Sequence, residues 1–191
     1  MKFIDSKEAN KYLSSIGMQI GSWNQISDVD CEVNKWINYL APKNSSELLN
    51  FSYHMAGWLP KGDWKIFQID NSTCLDAVQL SFVEGLLFGS AKGEKLNNNR
   101  TILFKFGIDE NGNKENELLI ANLIYVFSLF ECHAYLVSSN SREGERLAVQ
   151  DGFAYFSASE KNIHGAKALL ENFSKKPLKF PNWIMEIIDD G

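Results

Sequence analysis

Apolar positions recur with two different periods along this chain, and the change of period divides it. Asp5, with Glu8 three residues later, forms an approximate capping box ahead of Ala9, Tyr12, Leu13 and Ile16, whose spacing predicts a helix ended by Gly17. A second helix is expected from about Asp30 to Leu40, because Val29, Val33, Trp36, Ile37 and Leu40 form one apolar stripe that stops before Pro42. Asp28, Asp30 and Glu32 would then complement the positive end of its dipole. A third helix is expected from about Ser46 to Leu59, with Leu48, Leu49, Ser52, Met55, Ala56 and Leu59 on adjoining faces and Pro60 and Gly62 after it.

From Trp64 onward the period shortens. WKIFQI, Trp64 to Ile69, is aromatic and β-branched and reads as a strand buried on both faces. DNST, Asp70 to Thr73, supplies side-chain caps for a helix of roughly Leu75 to Phe88 that carries Val78, Phe82, Leu86 and Leu87. TILFKF, Thr101 to Phe106, alternates and reads as another strand; GIDENGNKENE, Gly107 to Glu117, reads as a polar loop. The apolar run Leu118 to Phe130 is longer than an ordinary strand and is expected to be a buried helix.

HAYLVS from His133, RLAVQ from Arg146 and FAYFSA from Phe153 form three alternating runs, and Asp151-Gly152 separates the last two. That dipeptide favours the positive φ angles of a two-residue hairpin, so a three-strand antiparallel meander is predicted. Ser157 and Ser159 are expected to cap a following helix with Ile163, Ala166, Leu170 and Phe173 on one face, before Pro177, Pro181 and a final WIMEII turn or helix. The sum is α+β, a helical N-terminal layer packed on an antiparallel sheet of about five strands that includes the C-terminal meander. No repeat, low-complexity tract or composition shift divides the chain, and residues 1–191 are expected to form one domain.

Composition narrows the classes of function. Residues 45% hydrophobic and 23% charged are globular values. A net charge of -5 deprives phosphate-backbone binding of its usual electrostatic term, so no direct nucleic-acid contact is expected. Asp5 and Glu8 interrupt any secretory apolar core at the N-terminus, and the Leu118–Phe130 run falls short of the roughly 20 residues that span a bilayer. That short run leaves no membrane partner expected, and Cys31, Cys74 and Cys132, far apart in sequence, fit a reduced, cytoplasmic compartment.

Candidate chemistry is sparse. His54, His133 and His164 are dispersed without any HxxxH or CxxC spacing, so neither a metal nor another cofactor is expected. One arrangement has the parts for covalent chemistry: Cys74 at a predicted helix N-terminus, His133 opening a later strand, and Asp151 or Asn140 to orient the imidazole. That is the basis of an alternative, a cysteine-dependent hydrolase or transferase; against it stands the ordinary role of a free cysteine as a small buried hydrophobe. Asp109, Glu110, Glu115 and Glu117 crowd one polar stretch against Lys114 alone and suggest either a solvated connection or a docking surface for a basic partner. Trp23, in the polar segment GSWNQ, is a further candidate contact.

Two segments together, DWKIFQIDNST from Asp63 to Thr73 and the YLVS…DGFAYFSAS meander from Tyr135 to Ser159, resemble the small acidic bacterial immunity proteins that neutralise polymorphic or contact-dependent toxins. The resemblance covers about a third of the chain and carries no individual binding residue across. It implies a non-enzymatic cytoplasmic inhibitor whose partner is a cognate toxin domain, often basic, engaged through an acidic surface.

Overall fold

Asp5 opens the first helix as its capping spacing predicts, its carboxylate accepting the Glu8 N–H at 2.7 Å. This helix, α1, spans Ser6–Leu13, runs on through a 3-10 turn over Ser14–Ile16, and ends at Gly17, whose φ of 72° is the left-handed stop that glycine adopts at least cost. The structure is a computed structural model and describes residues 1–22, 24–28, 35–70, 73, 75–88, 101–106, 110–142 and 145–171. Strand β1, Lys2–Ile4, precedes α1, and a short ribbon of β2, Met18–Ile20, and β3, Ile26–Asp28, follows it.

Strands β4 (Lys35–Leu40), β5 (Trp64–Ile69), β6 (Thr101–Lys105), β7 (Ala134–Ser138), β8 (Arg146–Gln150) and β9 (Phe153–Ala158) join β1 in a sheet of order β1-β6-β5-β7-β8-β9-β4. Every pairing is antiparallel. Helices α2 (Ser45–Trp58), α3 (Ala77–Phe88), α4 (Glu110–Leu129) and α5 (Glu160–Glu171) supply the helical layer, while α1 and the β2–β3 ribbon pack with the opposite face. The fold is therefore α+β, with an antiparallel sheet that carries the expected C-terminal meander.

Register explains why two cores form. Phe3, Ile102, Phe67, Leu136, Leu147, Phe156 and Ile37 align as one row across all seven strands, and every one is buried toward the helical layer. Phe67 meets Phe127 of α4 edge to face at 5.2 Å, and Phe156 meets Trp58 of α2 at 5.0 Å. Each such aromatic contributes roughly 1.5–3 kcal/mol by leaving water. On the other face Ile66, Leu103, Val137 and Ala148 close against Ala9, Leu13 and Met18.

The Asp151-Gly152 hairpin has the predicted form. Asp151 has φ 50° and Gly152 φ 76°, and Gln150 pairs directly with Phe153.

Several expectations are corrected. The expected helix from Asp30 to Leu40 is a strand over residues 35–40, and residues 29–34 lie outside those described. Six residues of β4 pair with β9 and send Ile37 and Tyr39 into the core, a gain that outweighs a helical stripe which Trp36, Ile37 and Leu40 also satisfy. The sheet has seven strands rather than about five because β4 and the three-residue β1 join its two edges. GIDENGNKENE is not a loop throughout, since α4 already begins at Glu110. The cap of α3 is Asp76, whose Oδ1 accepts the N–H groups of Val78 and Gln79 at 2.8 Å each, rather than a residue of DNST. Ser159 holds the first turn of α5 by its backbone carbonyl, while the buried hydroxyls of Ser157 and Ser159 have no hydrogen-bond partner among the described residues. Pro177, Pro181 and WIMEII lie outside the described residues.

Candidate functional site

Three segments meet at the end of the sheet where β5 stops and β7 starts. The ladder between Ile69 and Ala134 continues one step further: Asp70 N–H donates to the His133 carbonyl at 3.1 Å, and Thr73 Oγ1 donates to the same carbonyl at 2.8 Å. The His133 N–H returns a bond to Thr73 Oγ1 at 3.0 Å. Asp70 and Thr73 thus splice the segment after β5 onto the start of β7. From the hairpin, Asp151 Oδ1 lies 2.8 Å from His133 Nε2, with the imidazole half-buried and the carboxylate exposed. The histidine is oriented by Asp151 and not by Asn140, which sits past the far end of β7 and donates to the Lys61 carbonyl at 2.6 Å. A histidine held by a carboxylate is the arrangement needed to activate a neighbouring nucleophile. Cys74, the nucleophile of the alternative reading, lies outside the described residues, one position beyond Thr73.

Beside this pair a row of hydrogen-bonding side chains crosses the face opposite the helical layer. Thr101, Gln68, Tyr135, Tyr155 and Asn38 stand in register across the strands, with the apolar Ala148 of β8 between the two tyrosines. Thr101 Oγ1 donates to Gln68 Oε1, and Gln68 Nε2 donates to the Ile69 carbonyl at 3.2 Å. Burial pushes the Tyr135 hydroxyl up to about 12, with the Asp70 charge adding to the rise, Arg146 opposing it and Tyr155 adding again. Burial, and then the Asp151 charge, raises Tyr155 as well. Both phenols therefore stay protonated at neutral pH, as hydrogen-bonding groups rather than bases. Sequence reading misses this row because it exists only through the register, although a glutamine inside WKIFQI is its one local sign.

On the helical side, Lys65 is 1% exposed, and its Nζ donates to the Ala56 carbonyl at 3.1 Å and to Glu117 Oε1 and Oε2 at 2.9 and 3.2 Å. The ammonium also lies 5.8 Å from the Phe106 ring centroid. Ala56 belongs to the last turn of α2, which has no basic residue of its own, so Lys65 supplies the cation that a helix C-terminus favours. One charge joins β5, α2 and α4. Glu117, expected to be a solvated docking charge, is instead the counter-ion of a buried lysine. Glu110 and Glu115 fall in the first half of α4, while Asp109 and Trp23 lie outside the described residues.

Cys132 is buried, and its thiol is directed to the Phe130 carbonyl at 3.5 Å. Among the described residues no three His, Cys, Asp or Glu side chains gather as a metal site requires, and no helix is long and apolar enough to cross a membrane. Large apolar side chains do reach solvent on three helices: Leu49 and Tyr53 on α2, Val78 and Phe82 on α3, Leu118 and Leu129 on α4. Fold and site define an α+β protein with an oriented His–Asp pair at one sheet end and an apolar outer surface on its helical layer. No family model, curated protein or solved structure matches the chain.

Proposed function

We propose that this chain is a non-enzymatic binding protein that neutralises a cognate bacterial toxin domain by direct contact, as an immunity protein does. The observation that carries this reading is the outer surface of the helical layer, where Val78 is 79% and Phe82 52% exposed. Large apolar side chains held in water on a folded scaffold favour association with another protein, and aromatic anchors contribute most to such contacts. The net charge of -5 favours a basic partner by speeding encounter. Within this reading Asp109, Glu110, Glu115 and Trp23 are proposed contacts, while Glu117 is engaged by Lys65. The test is co-expression with the toxin domain encoded beside this chain. Rescue of growth together with a stable complex is expected, and growth arrest despite soluble expression of both proteins would remove the reading.

A second reading is favoured by one specific observation, the 2.8 Å contact of His133 Nε2 with Asp151 Oδ1 beside the segment that leads to Cys74. In a cysteine-dependent hydrolase or transferase, Cys74 would attack an acyl carbon, and His133 would first take the thiol proton and then deliver it to the leaving group.

A further inference from the structure

We propose that the outer face of α3, together with Leu129 and Phe130 beside it, is a docking surface for a basic amphipathic helix of a partner protein. The proposal rests on the binding-protein reading above and names the surface and chemistry that reading requires. At 100° per residue, Val78, Ser81, Phe82 and Gly85 share one side of α3 and are all exposed, while Val83 and Leu87 point the opposite way into the core. The helix sequence, AVQLSFVEGLLF, is apolar on nearly every side. Such helices are ordinarily buried all round, yet half of this one faces water.

The exposed face continues onto a neighbouring element. The Phe82 ring meets Phe130 edge to face at 6.2 Å, next to exposed Leu129 at the end of α4. Beside Phe82 the surface is low, since Ser81 is small and a Cβ on Gly85 would find nothing within 4 Å. The small Ser81 and Gly85 leave room beside the Phe82 ring for side chains of a second helix to interdigitate.

Charge selects the occupant. Neither the stretch from Ile66 to Ala91 nor that from Glu115 to Ser141 contains a Lys or Arg, whereas Asp76, Glu84 and Glu131 accompany the apolar face. Within these two stretches the charges that accompany the apolar strip are carboxylates, which repel anionic lipid and nucleic acid. The strip is complementary to a helix that carries Leu or Phe anchors at i, i+3/i+4 and i+7 with Lys or Arg alongside.

The experiment titrates the full chain into a fluorescein-labelled synthetic helix with Leu at helical spacing and Lys on the flanks, read by anisotropy at low and high salt. A second peptide replaces every Lys with Glu. Binding of the Lys peptide, weakened by salt and weakened about tenfold or more by Val78→Asp or Phe82→Ser but unchanged by Leu49→Ser on α2, is the expected result. Equal binding of the Glu peptide would overturn the proposal, as would unchanged binding of the Lys peptide by the two α3 variants with native circular dichroism. Val78 is almost wholly exposed, so its replacement leaves the fold intact. Toxin protection separates the two readings. A Val78→Asp, Phe82→Ser double variant that protects as fully as the parent overturns this surface and keeps the binding function. A parent chain that protects against nothing overturns the binding function, and the peptide titration still decides the surface.

Discussion

Lys65 and Glu117 form an ion pair of 2.9 Å in which the lysine side chain is 1% exposed and the glutamate 32%. The two partners are therefore not equivalent, and their removal carries different costs. Glu117→Gln leaves a charged ammonium in the core with the Ala56 carbonyl, the Phe106 ring and a neutral amide but no counter-charge, and is expected to cost about 3 kcal/mol. Lys65→Met fills the same space and leaves a carboxylate that water already reaches, so about 1 kcal/mol is expected. Urea unfolding of both variants checks the order. A Lys65→Met loss as large as that of Glu117→Gln would mean that the pair is not limited by burial of the lysine.

The hairpin offers a backbone test free of packing. Gly152 has φ 76°, and an added Cβ would come no closer than 3.6 Å to Glu131 Oε1, an ordinary contact. Gly152→Ala therefore isolates the left-handed strain and is expected to destabilise by about 1–2 kcal/mol. Asp151→Gly relieves the φ of 50° at the neighbouring position but loses the exposed contact with His133, and is expected to change stability by less than about 0.5 kcal/mol. Thermal unfolding monitored by circular dichroism distinguishes them, and equal effects of the two substitutions would argue against a strain origin.

Tyr135 links the polar row to alkaline stability. Its hydroxyl ionises near 10 in an unfolded chain and is pushed up to about 12 in the fold by burial, with Asp70 adding to the rise. Between those values the unfolded state releases its proton first, so stability is fully present below pH 10 and declines as pH rises toward 12. Tyr135→Phe removes this titration and is expected to flatten the decline over that window, as seen in urea midpoints measured from pH 9 to 11.5. An unaltered pH slope in the variant would place the ionisation elsewhere.

Legibility in the sequence follows the range of the interactions involved. The Asp5 cap, the Gly17 stop and the Asp151-Gly152 hairpin depend on dihedral preferences within a few residues, and each is found where its local pattern puts it. Strand β4 depends on β9: Lys35 pairs with Ala158 and Leu40 with Phe153, partners that no local window contains, and the stripe through Trp36, Ile37 and Leu40 fits a helix as well. Lys65 illustrates the same limit in the site. A strand read as buried on both faces gives no partner for its lysine, and only α2 and α4 above β5 supply the Ala56 carbonyl and the Glu117 carboxylate. The sequence leaves Asp151 or Asn140 to orient His133, and the pairing of the meander decides for Asp151, just as the Gln68–Tyr135–Tyr155 row requires the register itself.

Chemistry at Cys74 is the remaining discriminator between a binding protein and an enzyme. Thr73, the residue before Cys74 in sequence, is bonded to both the N–H and the carbonyl of His133, and Asp151 lies 2.8 Å from the imidazole Nε2. Free thiols ionise near about 8.5, and a nucleophile activated by such a histidine would be a thiolate at pH 7 that alkylates rapidly. The binding reading expects otherwise: in the folded protein at pH 7, iodoacetamide labels Cys74 no faster than an ordinary thiol, and His133→Ala leaves the rate within about twofold. Peptide-resolved mass spectrometry separates Cys74 from Cys31 and from buried Cys132. Fast labelling confined to Cys74 that falls about tenfold or more in both His133→Ala and Asp151→Asn would reverse the ranking, because only an imidazole held by that carboxylate accounts for both losses.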